Sequence, residues 1–341
     1  MHLKSILTNK KVLILTAISL LVIVSVGRVF FARKKIATNK SLIPSLSNNT
    51  KINPSQIEAV KAFEIYDVTA IDAQTFIGID KEFRLSKISS QGRITLLPQV
   101  LNYSYTPSSI AALRKNNTQT ITLVDNKDTS KITNLNIRDQ SPPLSVGLDP
   151  NGKFLYFLGK YDPISRRSKL YFVDMGNNQQ KLPLIDTTAD KIEIVDEKHL
   201  LFFETADAPD SSTISVFDTD QKQFTFSVKG NHYRLSPSHK LLAVTSSNSA
   251  IIYNLDNSYR KSLSLKEGTL LVWKNDHILA GFINNYPGVE LQYIDIDTSQ
   301  KSDFAKIDTL KSTSISQIYA VASDTAYVKD ANGLLWQITL P

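Results

Sequence analysis

The sequence of 341 residues predicts an all-β fold: a β-propeller of seven blades, each with four antiparallel strands, preceded by one transmembrane helix. Three observations predict it. A strand pattern recurs seven times, its spacing is typical of a propeller blade, and one long uncharged apolar segment lies near the N-terminus. We therefore expect a short basic segment at 1–11, a membrane helix at 12–32, a flexible stalk at 33–56 and the propeller at 57–341.

The apolar segment has the length and composition of a membrane span. Residues 12–27 carry no charge, and 11 of these 16 residues are Leu, Ile or Val. Continued through residue 32, the helix is about 32 Å long, close to the thickness of a bilayer core. A buried helix of a soluble protein is one alternative, and a cleaved signal peptide with small residues at Ser25 and Gly27 is another. We expect an uncleaved anchor because the apolar run continues beyond these two residues.

The positive charge is confined to the N-terminal part of the chain. Nine of the 39 basic side chains lie in residues 1–57, which contain no acidic one, so 30 basic and 32 acidic residues remain. The predicted folded domain therefore lacks the excess of basic residues that nucleic-acid binding requires, and we expect no nucleic-acid partner. The chain has no cysteine, which excludes disulfides, thiolate catalysis and cysteine-ligated zinc.

The sidedness of the domain is a separate question. Three lysines precede the uncharged run at 12–27 and five basic residues follow it by residue 40, so charge counting alone favours a cytoplasmic C-terminal side. A single N-terminal helix before a large soluble domain is nevertheless usually a signal anchor. We expect a single-pass membrane protein with an extracytoplasmic propeller, and a propeller tethered to the cytoplasmic face is the alternative.

The repeated pattern begins near residue 58 and is clearest at 147–175 and 234–257. Each copy has a short strand, a tight turn, an apolar run, a polar loop and a further strand that usually ends in Asp. The ends of these further strands are Ser89, Asp125, Asp174, Asp218, Asp256, Asp295 and Thr339. Their mean spacing of about 42 residues matches a four-stranded blade. A β-sandwich or a barrel is the alternative fold.

The last copy lacks a fourth strand, because the chain ends at Pro341 directly after the third. The segment 56–63 precedes the first copy and could supply the missing strand. This pairing would close the ring and remove an exposed sheet edge.

Two copies carry a more specific motif. One reads LDPNGK at 148–153 with LYFVD at 170–174, and the other reads LSPSHK at 235–240 with IYNLD at 252–256. They resemble the TolB-like (WD-repeat-like) β-propeller repeat, in which the turn is Ser-Pro-Asp-Gly-Lys. The remaining copies keep only the apolar spacing. The resemblance implies a scaffold for binding, often extracytoplasmic, and it implies no catalytic activity.

The turn of this motif has a physical explanation. Pro150 and Pro237 stand where the second residue of a type I turn is expected, and Gly152 stands at the fourth. The sequence departs from the motif at Asp149, which replaces Ser, and at His239, which replaces Gly.

No catalytic, cofactor or metal site is expected. Three histidines occupy nearly the same repeat position, the turn after the first strand: His199, His239 and His277. Sevenfold geometry places successive copies about 51° apart, too far for imidazoles that must each lie about 2 Å from one zinc ion. The acidic pairs Asp218/Asp220 and Asp295/Asp297 lack the Gly and distal Glu of a calcium loop, so we interpret them as strand ends.

An enzyme remains the alternative function. Lactonase-like and quinoprotein-like propellers gather acidic or aromatic groups at the central channel, where they act on small molecules. The predicted inner strands of this chain show no matching set of acids. We therefore expect a non-enzymatic protein.

Long loops between the second and third strands mark the expected partner surface. They span 159–169, 205–213 and 283–289, and in a propeller they emerge on one face. Their candidate partner-binding residues are Tyr161, Arg166, Arg167, Asp207, Asp210 and Tyr286, of which Tyr and Arg are frequent interface anchors. Solvated hairpins are the alternative interpretation. The sequence thus predicts a membrane-anchored scaffold or sensor that binds a protein, peptide or envelope glycan.

Overall fold

The computed structural model describes residues 43–44, 52, 55–56 and 65–341, apart from residues 73, 90, 138–142, 160–161, 163, 166, 177–180, 209–210, 256–259, 286–287, 308–309, 311–312 and 323. The predicted membrane helix at 12–32 lies outside the described residues. Within them, no helix is long and apolar enough to cross a membrane.

The described residues form 28 strands, which assemble into seven antiparallel sheets of four strands each. Blade 1 contains β2 (Ile65–Ala70), β3 (Phe76–Asp80), β4 (Leu85–Ser89) and β5 (Gly92–Leu97). Blade 2 contains β6 (Val100–Tyr105), β7 (Ser109–Arg114), β8 (Asn117–Asp125) and β9 (Ile132–Asn136). Blade 3 contains β10 (Ser145–Leu148), β11 (Phe154–Leu158), β12 (Ser168–Asp174) and β13 (Lys181–Thr187). The predicted all-β fold is therefore confirmed.

The remaining blades repeat this order. Blade 4 contains β14 (Lys191–Ile194), β15 (His199–Glu204), β16 (Thr213–Asp218) and β17 (Gln223–Lys229). Blade 5 contains β18 (His232–Leu235), β19 (Leu241–Ser246), β20 (Ser249–Asn254) and β21 (Arg260–Ser264). Blade 6 contains β22 (Thr269–Asn275), β23 (Ile278–Asn284), β24 (Val289–Asp295) and β25 (Ala305–Ile307). Blade 7 contains β26 (Ile315–Ala322), β27 (Thr325–Asp330), β28 (Leu335–Thr339) and, from the N-terminal part of the chain, β1 (Ser55–Gln56).

The ring is closed by β1, which pairs with β28 so that Ser55 lies opposite Gln337 and Gln56 opposite Trp336. The chain before the first copy thus supplies the fourth strand of the last blade, as the sequence predicted. Gln56 is the first residue of the segment expected for this strand and Ser55 directly precedes it, whereas residues 57–63 of that segment lie outside the described part.

Both faces of the sheets are apolar because each blade packs between two neighbours. In β11 only Phe154 is partly exposed, and the other four residues are buried. Blades 6 and 7 share one such core, which includes Phe282, Leu291 and Ile338. Ile52, with 5% of its surface exposed, belongs to the same core, and the partly buried Ile43 packs against it. Residues from the predicted stalk therefore contribute to the packing of the domain.

The acidic residues at strand ends stabilise turns. The third strand ends at the predicted residue in six blades, and in blade 5 it ends at Asn254. One carboxylate oxygen of Asp218 accepts hydrogen bonds from the N–H groups of Asp220 and Gln221, both at 2.8 Å. Asp295 accepts from the N–H groups of the second and third residues after it, at 2.9 and 2.8 Å. These carboxylates replace backbone acceptors that a tight turn cannot supply.

The turn of the LDPNGK motif has the expected hydrogen bond. The N–H of Gly152 donates to the carbonyl of Asp149 at 2.8 Å, and Gly152 has a φ of +69°. In blade 5, His239 occupies the equivalent position with a φ of +58°, in the left-handed region that favours glycine. Its Nδ1 donates to the carbonyl of Val195 in blade 4 at 2.5 Å, a bond between blades that a glycine could not make.

Replacing Gly152 with alanine tests the strain at this turn. The left-handed φ disfavours any side chain, and the added Cβ would lie 3.2 Å from the hydroxyl oxygen of Ser108. We expect Gly152→Ala to lower the free energy of unfolding by about 1–2 kcal/mol, measured by urea denaturation. The matched control is Gly176→Ala, where the Cβ would make only an ordinary contact of 3.5 Å with Asp174. An equal effect of both substitutions would contradict the argument.

Truncating Ile52 tests whether the segment before β1 stabilises the domain. Because Ile52 is buried in the core of blades 6 and 7, Ile52→Ala should cost about 2–4 kcal/mol of unfolding free energy. The control Ile94→Ala changes a side chain that is 64% exposed and should cost less than about 1 kcal/mol. A negligible effect of Ile52→Ala in the same denaturation experiment would refute this contribution.

Candidate functional site

The predicted rim surface begins with the loop at 159–169, whose hairpin is held by Asp162. The N–H of Asp162 donates to the carbonyl of Arg167 at 2.9 Å, and the two residues form an isolated β-bridge. Its carboxylate accepts from the N–H of Ile164 and from the hydroxyl of Ser165, both at 2.9 Å. These hydrogen bonds lower the pKa of the Asp162 carboxyl, so this side chain is ionised at neutral pH.

The hairpin held by Asp162 presents an apolar side chain to solvent. Ile164, at the tip of the hairpin, is 93% exposed, the highest value among the exposed large apolar side chains of the described residues. A hairpin that serves only to connect two strands is usually tipped with polar or turn-forming residues. The exposed Ile164 therefore favours a contact surface over a purely solvated connection.

The other predicted rim residues are only partly described. Arg167 and Asp207 are both exposed, whereas Tyr161, Arg166, Asp210 and Tyr286 lie outside the described residues. Arg167 also lines a groove of about 280 Å³ between blades 3 and 4, and Asp207 does not. Of the two candidates that the structure describes, only Arg167 therefore lies in this groove.

The groove combines an aromatic floor with polar walls. The ring of Phe224, 47% exposed, lies 5.4 Å from that of the buried Phe202. The hydroxyls of Ser215 and Ser227, 2.7 Å apart, form part of one wall. Such a groove is suited to a side chain with an apolar body and a polar end.

The three histidines do not approach one another. His199 lies 2.9 Å from a carboxylate oxygen of Asp196, and His277 lies 2.8 Å from one of Asp297. His239 bonds to a backbone carbonyl. Among the described residues, no group of three or more His, Cys, Asp or Glu side chains could hold a metal ion.

A central channel of about 750 Å³ is lined by the innermost strand of all seven blades. In each of blades 1 to 5, the residue directly after the inner strand donates its N–H across the following turn to a backbone carbonyl near the start of the second strand. The residues that line the channel lie at fixed distances before this residue in the sequence. The residues four positions earlier form the upper layer: Asp67, Asn102, Ser145, Lys191 and His232. The residues two positions earlier form the lower layer: Thr69, Ser104, Gly147, Glu193 and Arg234. Nine of these ten residues are polar or charged.

The uncharged members of the two layers join the blades. Asn102 Oδ1 accepts the N–H of Val146 at 3.0 Å, and Ser104 Oγ accepts the N–H of Leu148 at 2.9 Å. Both bonds satisfy N–H groups on the free edge of β10. These uncharged side chains therefore have a structural role.

The charged members lie on blades 1, 4 and 5. The Asp67 side chain is accessible to water in the channel, but the surrounding wall raises the pKa of its carboxyl by desolvation, an effect that Lys191 partly opposes. Burial also lowers the pKa of the Arg234 guanidinium, and the carboxylate of Glu193 partly opposes it. His232 has a lowered pKa because of burial and the nearby Arg234, so its imidazole is neutral at pH 7.

Arg234 reaches from blade 5 to blade 7. Its Nη1 donates to the carbonyl of Tyr233 at 2.9 Å and its Nη2 to the carbonyl of Ile318 at 2.7 Å. Its Nε is buried and has no hydrogen-bond partner among the described residues. The Tyr233 hydroxyl, which burial keeps protonated by raising its pKa, donates to Glu193 at 2.8 Å.

No protein-family model and no curated protein matches the sequence. The fold resembles that of YCF48 bound to D1 peptide, with 12% identity, a TM-score of 0.58 and coverage of 88% of this chain and 100% of that one. It also resembles the RRP9 WD40 repeats, with 10% identity, a TM-score of 0.56 and coverage of 88% and 100%. The hydrazine synthase of Kuenenia stuttgartiensis is similar at 13% identity and a TM-score of 0.53, with coverage of 86% and 99%.

These similarities, together with the sheet order, establish the architecture. The chain is a seven-bladed β-propeller. Its structural neighbours include WD40 repeats, and at identities near 10% the likeness concerns the fold alone.

The channel charges of the propeller were missed by the sequence analysis, which found no matching set of acids in the inner strands. Asp67 and Glu193 do lie there, with Lys191 and Arg234. The signal was present in the sequence as polar residues two and four positions before the turn in successive copies. It was hidden because each copy contributes only one or two residues and the layers form only when the ring closes.

Because the pKa of the Asp67 carboxyl is raised, we expect a variant without this charge to be more stable than the wild type, by an amount that depends on pH. Between the unfolded and the folded pKa, the folded state binds more protons, so wild-type stability falls as pH rises through this window. Asp67→Asn should therefore raise the melting temperature at pH 7 by about 1–3 °C, and the difference should shrink below about pH 4. A lower melting temperature of Asp67→Asn at pH 7 would show that the carboxylate stabilises the fold.

Proposed function

We propose that the propeller is a non-catalytic, membrane-anchored scaffold that binds a protein or peptide partner through the hairpin at 159–169. The observation that carries this proposal is Ile164, exposed at the tip of a hairpin held by the hydrogen bonds of Asp162. Fixing the loop before binding reduces the entropy lost on association. A structural neighbour solved with a bound peptide and the WD40 neighbours support a protein or peptide as the partner.

The charge near Ile164 indicates the partner's chemistry. Arg167 is exposed in the same hairpin, three positions after Ile164, and its planar guanidinium can bind a carboxylate through two hydrogen bonds. The matching surface on the partner would therefore have an apolar pocket with at least one acidic residue at its edge.

The location of the scaffold is part of the proposal. The uncharged apolar segment at 12–27 supports a membrane anchor, and the signal-anchor arrangement supports an extracytoplasmic propeller. The turn motifs at 148–153 and 235–240 support a relation to TolB-like repeats, which are often found outside the cytoplasm.

Substitutions at the hairpin test the docking surface. The partner is first identified by photo-crosslinking from position 164. Ile164→Asp should then weaken partner binding by about 10- to 100-fold, because the apolar side chain of Ile164 is no longer buried against the partner. Arg167→Ala should weaken it by about 10-fold through the lost charged contact. The affinities are measured by titration calorimetry with purified partner and full-length protein.

The control is Ile132→Asp, which changes an apolar side chain that is 47% exposed on the outer strand of blade 2. This variant should bind as tightly as the wild type. Equal losses for Ile132→Asp and Ile164→Asp, or unchanged affinity of Ile164→Asp, would refute the hairpin as the binding surface.

Single cysteines test the location, since the chain has none of its own. We expect Ser47→Cys and the exposed Ser130→Cys to react with a membrane-impermeant maleimide on intact cells. The control is Ser168→Cys, at a position where the side chain is 1% exposed, and this cysteine should react only after unfolding. Reaction of the first two cysteines only after lysis would place the propeller in the cytoplasm and leave the hairpin proposal intact.

A further inference from the structure

The channel holds charges that the fold leaves incompletely compensated. Within the described part of the chain, no carboxylate lies within ion-pair distance of Lys191 or of Arg234. The channel wall partly desolvates Asp67 and Arg234, neither of which has a close counterion among the described residues, and this cost raises the pKa of the Asp67 carboxyl and lowers that of the Arg234 guanidinium. Charges of this kind occur preferentially where a ligand supplies the missing partner.

The arrangement of the charges restricts the ligand. Two positive groups, Lys191 and Arg234, lie on blades 4 and 5, and Asp67 lies on blade 1. Glu193 already accepts a hydrogen bond from Tyr233, and it reduces the net charge of the four groups to zero. A ligand with one sign of charge would meet repulsion from one side of the channel. A net-neutral ligand with separated charges matches both sides.

We propose that the channel binds a small zwitterionic ligand, one that carries a carboxylate and an ammonium group, as a free amino acid or a short peptide does. Its carboxylate would lie near Lys191 and the guanidinium group of Arg234, and its ammonium group near Asp67. The channel volume of about 750 Å³ is in the range of small-molecule sites and accommodates either ligand.

The neutral His232 and the fixed position of Arg234 fit this role. The imidazole of His232 can donate or accept one further hydrogen bond without adding charge. Arg234 is held by two backbone carbonyls on different blades, so its guanidinium group keeps a fixed position in the channel wall. This site is independent of the hairpin at 159–169 and does not require the proposed scaffold function.

Ligand pools test the proposal on the full-length protein in detergent. The probes are an equimolar pool of the 20 free amino acids, a pool of tripeptides with free termini, and the same tripeptides acetylated and amidated, each at about 10 mM. We expect at least one zwitterionic pool to raise the melting temperature and the blocked tripeptides to leave it unchanged. A response to the first pool alone identifies a free amino acid, and a response to the second alone identifies a peptide.

Variants then assign the contacts, with affinities for the responding pool measured by titration. Asp67→Asn and Lys191→Met should each weaken binding at least about 10-fold, whereas the exposed turn variant Lys240→Met and the hairpin variant Ile164→Asp should not. Melting curves without ligand confirm that each variant is folded, and the comparison of free and blocked peptides requires no variant. Failure of both zwitterionic pools, equal binding of blocked peptides, or unchanged affinity of the two channel variants would overturn the proposal.

Discussion

The ring of the propeller depends on the pairing of two residues, Ser55 and Gln56, with the last strand. Without them blade 7 would have three strands and an open edge, available to other chains. The opposite side of this blade is joined to blade 1 by side chains. The hydroxyl of Tyr319 donates to the carbonyl of Ile65 at 2.8 Å, and that of Tyr327 to the carbonyl of Asp72 at 3.0 Å. Closure thus fixes the blades around the channel.

The channel wall combines structural and functional polar groups. The innermost strand of each blade has a free edge, and side chains from the neighbouring blade satisfy part of it. Ser145 Oγ, for example, accepts the N–H of Ile192 at 3.3 Å. Arg234 also joins two blades through the carbonyl of Ile318, and its buried Nε–H has no hydrogen-bond partner within the described part of the chain.

The sequence predicted the architecture because each blade repeats the same physical requirements. A carboxylate that closes a turn, as in Asp218 or Asp295, must recur at a fixed position, and so must the apolar residues that pack between blades. The channel is different, because Asp67 and Lys191 are 124 positions apart and face the same channel only because the ring closes. The exposure of Ile164 also depends on the hydrogen bonds of Asp162 within the hairpin, which the loop composition did not reveal.

The two candidate surfaces lie on the same face of the propeller. Ser145 of the upper layer pairs with Leu158, directly before the hairpin loop at 159–169, and Lys191 pairs with Phe203, close to the loop at 205–213. The upper layer is therefore at the end of the blades from which these loops emerge. A partner docked on Ile164 would lie beside the entrance through which a channel ligand reaches Lys191. Any effect of the ligand on partner affinity must then be matched by an equal effect of the partner on ligand affinity. This geometry distinguishes a sensor, in which the two sites are coupled, from a scaffold in which they are independent.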